Sequence, residues 1–304
     1  MPELWIWLTV AAALMQSVRT AGQMQLNAQL SVLAGTYVRA LLGLPVMIAY
    51  LAFVKAATGV AWPPLNVPFL GYCLITALTQ LAATAALLSL FRLRNFAVAN
   101  QLGKSDMIFT ALLGSVLFGQ HLNAIGWLAL ILTGAGVATI MTARTNATAP
   151  AWSWRTAASE PPVRIGLFVG LMFGICNLTL REATLNLPSE SRFMAGAVTV
   201  ATVTATQALI MGSWLARREP GTHAAVLTNF RLSSFVGATS ALGSILWFTA
   251  FAIETAARVR IVGQVEVVFT LLISAFYFRE RIQPLEAAGI ALTVAGIVLL
   301  QLGT

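Results

Sequence analysis

The chain has 304 residues, of which 58% are apolar and 9% are charged, and 18 Lys and Arg against 10 Asp and Glu give a net charge of +8. Soluble domains carry roughly 25% charged residues, so the composition excludes a soluble domain and indicates an integral membrane protein. Most of the cations stand at the ends of apolar runs, as membrane anchors and topology signals do. The positive charge therefore indicates the lipid bilayer as the surroundings, and we expect no nucleic-acid partner.

Long apolar runs recur along the whole sequence. A helix needs about 20 residues to cross the roughly 30 Å hydrocarbon core of a bilayer, and on that measure the sequence predicts an all-α membrane protein with ten transmembrane helices. Transmembrane β-strands would give alternating segments of about ten residues, whereas these runs are longer and uniformly apolar. The predicted spans are residues 4–22, 31–54, 67–90, 96–118, 123–142, 163–181, 191–215, 231–254, 258–278 and 284–302.

Polar side chains occur well inside the first three predicted spans. Arg19 lies near the end of the first span, Arg39 lies in the first half of the second, and Gln80 stands among small and hydroxylated residues in the third. Ionisable residues inside a bilayer are costly and are candidate functional residues by default. For Arg39 two roles stay open, an ion pair or carbonyl contact between helices and direct contact with a substrate. Gln80 is bulkier than its neighbours and could face a cavity.

A polar stretch divides the chain into two units of similar length. It covers residues 143–162 and is the longest polar stretch of the sequence. We predict a first five-helix repeat over residues 1–142, a linker over 143–162 and a second five-helix repeat over 163–304. Five spans is an odd number, so the second repeat is expected to cross the membrane in the opposite sense to the first, as inverted repeats do.

The two units are copies of each other in sequence. When the sequence is moved along itself by 160 residues, residues 91–110 register with 251–270 without a gap. An internal repeat of this length predicts two copies of one structural unit. The matching glycines Gly103 and Gly263 are expected where helices pass close to a neighbour. Further matching pairs are Phe91/Phe251, Ala97/Ala257, Phe109/Phe269, Thr110/Thr270, Phe118/Phe278, Thr133/Thr293, Ala135/Ala295 and Gly136/Gly296.

Polar residues of the matching segments define the predicted substrate site. Residues three and four apart share one face of an α-helix, so Asn100, Gln101 and Lys104 form a polar stripe on the fourth predicted helix. Arg260 and Gln264 form the corresponding stripe on the ninth. We expect the stripes to face a central cavity and to bind the polar or anionic group of a substrate. The full set of predicted substrate-binding residues is Lys104, Gln101, Asn100, Gln264, Arg260, Gln80 and Trp247.

The carboxylates of the same segments, Asp106 and Glu266, are predicted to have a different role. Each lies two residues beyond its stripe, roughly 200° around a regular helix, so each should face neighbouring helices. Because an unpaired buried charge is strongly disfavoured, we expect both carboxylates to pair with intramembrane cations, with Arg39 and Arg19 as the first candidates. The opposite hypothesis also stays open, that Asp106 or Glu266 carries a proton as the coupling ion.

The end of the sequence carries a motif with a family resemblance. The run Phe278-Arg279-Glu280-Arg281-Ile282-Gln283-Pro284 is a charged turn between the last two predicted spans, and proline is favoured at the first position of a helix. Gly289 and Gly296 follow on one face of the last helix, where they allow close packing. With ten spans in two repeats, this resembles the EamA-type transporters of the drug/metabolite transporter superfamily, in which a Gly-Glu-Arg-like turn joins the last two helices. The first copy departs from this pattern with Gly119-Gln120-His121.

The resemblance implies a secondary transporter in a bacterial cytoplasmic (inner) membrane, with a substrate site near the midplane and alternating access between two inverted repeats. The family moves amino acids, sugars, nucleotide-linked sugars and other small polar metabolites, and the motif does not distinguish among them. Intramembrane cations outnumber carboxylates in this sequence, which favours a substrate with a negative group, such as an amino acid or another carboxylate-bearing compound. A pump for cationic drugs would be expected to have an aromatic cage, for which Trp247 and a few Phe residues are the available members.

Two other classes of function are weighed against transport. An intramembrane enzyme would need a convergent set of catalytic groups or metal ligands, but both histidines lie in predicted loops and the two cysteines lie in apolar runs without the neighbours of a metal site. The sequence contains no P-loop motif for ATP, and we expect neither a cofactor nor a metal. A flippase for lipid head groups or phosphate-bearing lipid carriers stays open as the alternative, because intramembrane cations also suit a phosphate.

Overall fold

The computed structural model describes residues 3–93, 103–146, 161–277 and 283–302, and within these ranges the chain is helical without strands. A 3-10 turn at Gly103–Ser105 precedes the fourth helix. The helices are α1 (Leu4–Asn27), α2 (Val32–Thr58), α3 (Val67–Leu93), α4 (Asp106–Phe118), α5 (Ala124–Asn146), α6 (Pro161–Asn186), α7 (Arg192–Arg218), α8 (Thr222–Thr228), α9 (Phe230–Ile253), α10 (Ala256–Gly263), α11 (Val265–Phe276) and α12 (Pro284–Leu302).

Several of these helices have the length and hydropathy of membrane spans. Within the described ranges, α2, α3, α6, α7, α9 and α12 are long and apolar enough to cross a bilayer, and α4 and most of α5 form shorter apolar helices. The all-α membrane class predicted from the sequence is confirmed, whereas the number of ten spans stays a prediction. The predicted proline start is also confirmed, because α12 begins at Pro284. The linker residues 147–160 and the charged turn 278–282 lie outside the described residues.

The outer surface of the helices is apolar and the interior holds the polar groups. Large apolar side chains point outwards, among them Val116 and Leu209 with exposed fractions of 79% and 73%. Apolar surfaces of this extent mark contact with lipid or another protein. Charged side chains such as Lys104 and Glu266 are buried instead. The arrangement is that of a membrane protein with a polar centre.

The ninth predicted span is broken in the structure. The sequence predicts one helix over residues 258–278, but α10 ends at Gly263 and α11 begins at Val265. At the junction the N–H groups of Gln264 and Val267 donate to carbonyls three residues earlier, at 3.1 and 2.9 Å. Such bonds tighten the chain into a 3-10 turn, so the helical face of α10 does not continue into α11. The matching position in the first repeat is the 3-10 turn Gly103–Ser105 before α4.

Matching helices of the two repeats make matching contacts. In the structure α3 packs on α6 as α9 packs on α1, and α4 packs on α6 as α11 packs on α1. Two further close pairs, α2 with α7 and α5 with α12, each join matching helices of the two repeats. This pattern is expected if two similar units face each other. The opposite orientation of the two units in the membrane stays a prediction.

The crossing of α5 and α12 depends on matching glycines. A Cβ atom added to Gly136 would collide with Oγ1 of Thr293 and would lie 2.6 Å from the carbonyl oxygen of Gly289. A Cβ atom added to Gly296 would collide in the same way with Oγ1 of Thr133, the residue that matches Thr293. Small residues let helix backbones approach closely in lipid. The predicted close approach at Gly263 is also present, because a Cβ atom there would lie 2.5 Å from the ring of Trp247.

Replacement of Gly136 by alanine tests this crossing. A Cβ atom at this position collides with backbone atoms of α12, and overpacking of this kind costs about 1–3 kcal/mol. We expect Gly136→Ala to lower the midpoint of thermal unfolding in detergent. Gly71→Ala is the matched control, since Gly71 lies inside α3 and a Cβ atom added there would meet no atom within 4 Å, so alanine should be neutral or stabilising by up to about 1 kcal/mol. Equal unfolding midpoints for both variants would contradict the proposed close contact.

Candidate functional site

Several helices surround a small polar cavity in the centre of the bundle. The cavity measures about 60 Å³, and since a buried water needs about 10–15 Å³, it has room for a few water molecules. Its wall comes from both repeats and contains four cationic side chains. The lining residues are Gln16, Arg19, Thr20, Arg39, Gln80, Leu87, Lys104, Asp106, Val169, Phe173, Asn177, Leu180, Ser244, Trp247, Phe248, Phe251 and Arg260.

The first ion pair at the cavity joins Lys104 and Glu266. Nζ of Lys104 lies 2.6 Å from Oε2 of Glu266, and the two side chains are 5% and 1% exposed. The same carboxylate oxygen accepts a hydrogen bond of 2.6 Å from Nε2 of Gln16. Lys104 lies in the 3-10 turn before α4, and Glu266 lies in the first turn of α11. The pair therefore connects the 3-10 turn of the first repeat with the start of α11 in the second.

The second ion pair joins Arg260 and Asp106. Nη2 of Arg260 lies 2.5 Å from Oδ2 of Asp106, with side chains that are 6% and 3% exposed. Nδ2 of Asn177 donates to the same oxygen at 3.4 Å and to Oγ1 of Thr110 at 3.2 Å. Arg260 belongs to the last turn of α10, whereas Asp106 is the first residue of α4. This pair also runs from one repeat to the other.

The two ion pairs are related by the internal repeat. Asp106 and Glu266 occupy matching positions, each in the first turn of a helix that follows a 3-10 break. A carboxylate is stabilised at a helix N-terminus by the helix dipole. Asn177 matches Ser17, whose Oγ donates to the carbonyl oxygen of Glu266 at 3.2 Å. Each carboxylate residue is therefore held by a cation of the other repeat and by a polar residue of a neighbouring helix.

Two expectations about the charges are wrong. A regular helix would point Lys104 and Asp106 in different directions, but both line the cavity because the 3-10 turn ends at Ser105 and α4 begins at Asp106. Arg39 and Arg19 are not the partners of the carboxylates, because Asp106 pairs with Arg260 and Glu266 pairs with Lys104. Lys104 is therefore neutralised within the protein, and an anionic substrate would have to compete with Glu266 for it.

Arg19 and Arg39 form no ion pair with a carboxylate in the described part of the chain. Both line the cavity, with exposed fractions of 9% and 6%. Nη1 of Arg39 donates to Oγ1 of Thr84 at 2.7 Å, and Nε of Arg19 is buried without a hydrogen-bond partner among the described residues. An isolated buried charge is strongly unfavourable. These two guanidinium groups are therefore the positions of the cavity where an added anion would be most strongly stabilised.

The other predicted substrate contacts lie in different surroundings. Gln80 lines the cavity and accepts a hydrogen bond of 2.7 Å from Nε2 of Gln207. Trp247 lines it as well, and the guanidinium of Arg260 lies 4.8 Å from the centre of its ring. Gln264 is fully buried at the helix break and is absent from the cavity wall. The remaining two predicted contacts, Asn100 and Gln101, lie outside the described residues.

The predicted substrate set did not include two residues that hold the carboxylates. Gln16 and Asn177 each donate to a carboxylate oxygen of an ion pair. Both are polar residues inside apolar runs, which is the signal that could have identified them. Within the described ranges no group of three or more His, Cys, Asp or Glu side chains could hold a metal ion, and Cys73 and Cys176 are free and buried.

The chain resembles a known protein family in sequence and a solved structure in fold. The model of the EamA-like transporter family matches residues 163–302. The match therefore lies within the second half of the chain. One solved structure, described as a crystal structure of a protein, is similar over 99% of this chain and 97% of its own, with a TM-score of 0.72 and 16% identity. At that identity the likeness concerns the fold alone. None of the curated proteins matches the sequence.

The family match confirms the resemblance seen in the sequence. The family match over residues 163–302, together with several apolar helices of spanning length, supports an integral membrane protein of the drug/metabolite transporter type. Such a transporter binds a small-molecule substrate within the membrane, and proteins of this family are generally not enzymes. In this chain the buried ion pairs lie beside the central cavity.

Removal of one partner of a buried ion pair should be costly, whereas removal of both should cost less. Arg260→Gln leaves Asp106 buried without its cation, and such a change costs about 3–5 kcal/mol. We therefore expect a large fall in the midpoint of thermal unfolding. The double variant Arg260→Gln/Asp106→Asn has no unpaired charge at this pair and should recover part of the loss.

Arg258→Gln is the matched control on the same helix. Arg258 pairs with Glu254 at 3.0 Å, but these side chains are 24% and 18% exposed. A pair in contact with solvent contributes about 1 kcal/mol or less. An equal loss of stability for Arg258→Gln and Arg260→Gln would contradict the expected stabilisation by the buried pair. A double variant that loses as much stability as Arg260→Gln and Asp106→Asn added together would contradict it as well.

Proposed function

We propose that this EamA-type protein is a secondary transporter for a small polar metabolite that carries an anionic group, with an amino acid or another carboxylate-bearing compound as the favoured substrate. Its two five-helix repeats would have opposite orientations among ten spans, and the substrate would pass between them by alternating access in a bacterial inner membrane. The observation that supports the anionic substrate is the presence of Arg19 and Arg39 at the cavity without carboxylate partners among the described residues.

The charge balance of the cavity supports this proposal. The four cations at its wall are Arg19, Arg39, Lys104 and Arg260, and the two described carboxylates beside it are Asp106 and Glu266. Pairing of Lys104 and Arg260 with the carboxylates leaves two positive charges in a buried space. An anion that enters the cavity lowers the electrostatic free energy of these two groups, so binding is favoured for negative over positive substrates.

The starts of α4 and α11 also support a binding site at the central cavity. In transporters built from repeats, interrupted helices near the membrane midplane direct the N-termini of half-helices towards anionic groups. Here α4 and α11 begin beside the cavity, after the 3-10 turns at Gly103–Ser105 and Gln264. Their first turns are already occupied by Asp106 and Glu266. The guanidinium groups of Arg19 and Arg39, and not the helix ends, are therefore the proposed contacts of the substrate.

The side-chain chemistry of the cavity suits an anionic group. Guanidinium groups bind carboxylates and phosphates with two parallel hydrogen bonds, so the chemistry at Arg19 and Arg39 is suited to either. A flippase for phosphate-bearing lipids shares the same anion chemistry and is distinguished by experiment. A proton is the candidate coupling ion, with Asp106 and Glu266 as its candidate carriers.

The arginines provide the direct test of this function. In proteoliposomes, we expect Arg39→Gln and Arg19→Gln to reduce uptake of a radiolabelled amino acid or dicarboxylate at least tenfold, since each loses a charged hydrogen bond worth about 1.5–3 kcal/mol. Because these arginines have no carboxylate partner among the described residues, the variants should unfold at the same temperature as the natural chain or higher. Arg217→Gln, at an exposed position near the end of α7, should transport normally.

The same vesicles distinguish the possible sources of the anion. Uptake of soluble carboxylates would support the proposal, as would a rise of the unfolding temperature with these compounds, since a ligand of the folded state stabilises it. Movement of a fluorescent phospholipid between leaflets, without uptake of soluble anions, would favour the flippase. Uptake that prefers cationic compounds, or that is unchanged in both arginine variants, would contradict an anionic substrate.

A further inference from the structure

An open groove of about 600 Å³ lies on the outer surface of the bundle, between α2 and α7. It shares no lining residue with the central cavity, so it is separate from the proposed transport site. Its lining residues are Leu33 of α2 and Ile210, Met211, Ser213, Trp214, Arg217 and Arg218 of α7.

The wall of the groove changes from apolar to cationic along α7. Ile210, Trp214 and Arg217 are spaced four and three residues apart, so they follow one another on one helix face. At a rise of about 1.5 Å per residue, Ile210 lies about 10 Å from Arg217 along the axis. The interfacial layer on each side of a bilayer is roughly 5–8 Å thick. When Arg217 is at the level of the lipid phosphates, Ile210 is therefore at the level of the acyl chains.

The two arginines of the groove form no ion pair within the described part of the chain. Both side chains are exposed. Glu219, the carboxylate that follows them in the sequence, accepts a hydrogen bond of 2.6 Å from Oγ of Ser31 instead. Guanidinium groups bind phosphates with paired hydrogen bonds, and tryptophan is enriched where membranes meet water. The end of the groove therefore has the side chains that suit a phosphate at the membrane surface.

Packing of the two repeats does not require these cations. The helices α2 and α7 match each other in the repeat and pack together. The 160-residue register places Ala57 and Thr58 of α2 at the positions that match Arg217 and Arg218. The matching end of α2 is thus built with uncharged residues. The pair of arginines is specific to the end of α7, where the groove lies.

We propose that this groove binds one anionic phospholipid of the surrounding bilayer. Arg217 and Arg218 contact the phosphate, Trp214 packs at the level of the glycerol, and an acyl chain lies along Ile210 and Leu33. Charge complementarity selects an anionic lipid, because a zwitterionic head group would bring an ammonium group towards two cations. Basic pockets beside transmembrane helices bind anionic head groups by the same electrostatic attraction.

Lipid binding to the purified, detergent-solubilised chain tests the proposal. Native mass spectrometry counts the bound lipids during titration with dioleoyl phosphatidylglycerol, and in parallel with dioleoyl phosphatidylcholine. We expect the natural chain to bind phosphatidylglycerol at least tenfold more tightly than phosphatidylcholine. The double variant Arg217→Gln/Arg218→Gln should lower the affinity for phosphatidylglycerol at least tenfold, which is about 1.4 kcal/mol. Its affinity for phosphatidylcholine should stay within about twofold of the natural chain.

The double variant Arg164→Gln/Arg231→Gln is the matched control for charge. Residues 187–191 and 219–229 join α7 to α6 and α9, so the starts of those two helices lie at the same end of the bundle as the end of α7. Arg164 and Arg231 are exposed and do not line the groove. A general attraction of this end for anions would fall equally in both double variants. The proposed site predicts a change of at most about twofold in the control.

Filling the groove tests the lipid chain separately from the charge. Ile210→Trp places a bulky ring where the acyl chain is proposed to lie and leaves both arginines in place. We expect at least about fivefold weaker binding of phosphatidylglycerol, which is about 1 kcal/mol. Leu209→Trp is the matched control, since Leu209 is 73% exposed and does not line the groove. Its affinity should stay within about twofold of the natural chain.

Weaker binding of phosphatidylglycerol in Arg217→Gln/Arg218→Gln and in Ile210→Trp, but in neither control, supports the proposal. Equal affinity of the natural chain for the two lipids overturns it, and so does an equal fall in Arg164→Gln/Arg231→Gln. A fall in the arginine variant alone would indicate a site for a free anion and would overturn a lipid occupant. Dimers that disappear in Ile210→Trp but persist in Leu209→Trp would assign the groove to a second copy of the chain instead.

The comparison of Ile210→Trp with Leu209→Trp decides if the double arginine variant does not fold. The lipid proposal and the transport proposal fail separately, because neither measurement uses the residues of the other site. Uptake by Arg217→Gln is still expected to be normal, because that variant keeps Arg218 and every residue of the central cavity.

Discussion

Asp106 and Glu266 are buried charges, and each finds its partner of opposite sign in the other repeat. Lys104 bonds Glu266, and Arg260 bonds Asp106. Because neither repeat neutralises its own carboxylate in this way, the energetic cost of separating the repeats includes the exposure of four charges. The two halves are therefore held together by electrostatics at the centre and by close backbone packing at the crossing of α5 and α12. The alternating access proposed above would have to exchange these partners for water, substrate or each other.

The sequence was informative where a regular rule applied and misleading where a helix departs from regularity. The repeat register identified Asp106 and Glu266 as matching residues, and both begin a helix after a 3-10 turn. The helical wheel placed Lys104 and Asp106 on different faces, because apolar periodicity does not reveal the turn at Gly103–Ser105. Gln264 was expected at the cavity for the same reason, but it lies buried in the break between α10 and α11.

The pairing of charges could not be deduced from composition. The excess of cations over carboxylates was visible in the sequence, but which cations are left without partners depends on contacts between distant helices. Within the described ranges the structure gives Arg19 and Arg39 no carboxylate at ion-pair distance, whereas Lys104 and Arg260 bond the carboxylates. The hydrogen bonds of Gln16 could not be deduced from the sequence either, because its partners Trp247 and Glu266 lie 231 and 250 residues away in the chain. Long-range contacts of this kind decide the chemistry of the site.

The crossing of α5 and α12 has a mechanical consequence. At Gly136 and Gly296 the two backbones approach so closely that a single added methyl group would collide with the opposite helix. If either helix slid along the other, its side chains would collide with the hydroxyls of Thr133 and Thr293, which lie beside these glycines. Around these glycines the contacts are with backbone atoms and threonine hydroxyls, which neither solvent nor substrate can replace as they could replace an ion partner. If the two halves rock against each other in transport, as proposed above, this crossing is therefore the contact expected to stay in place while the other helices move.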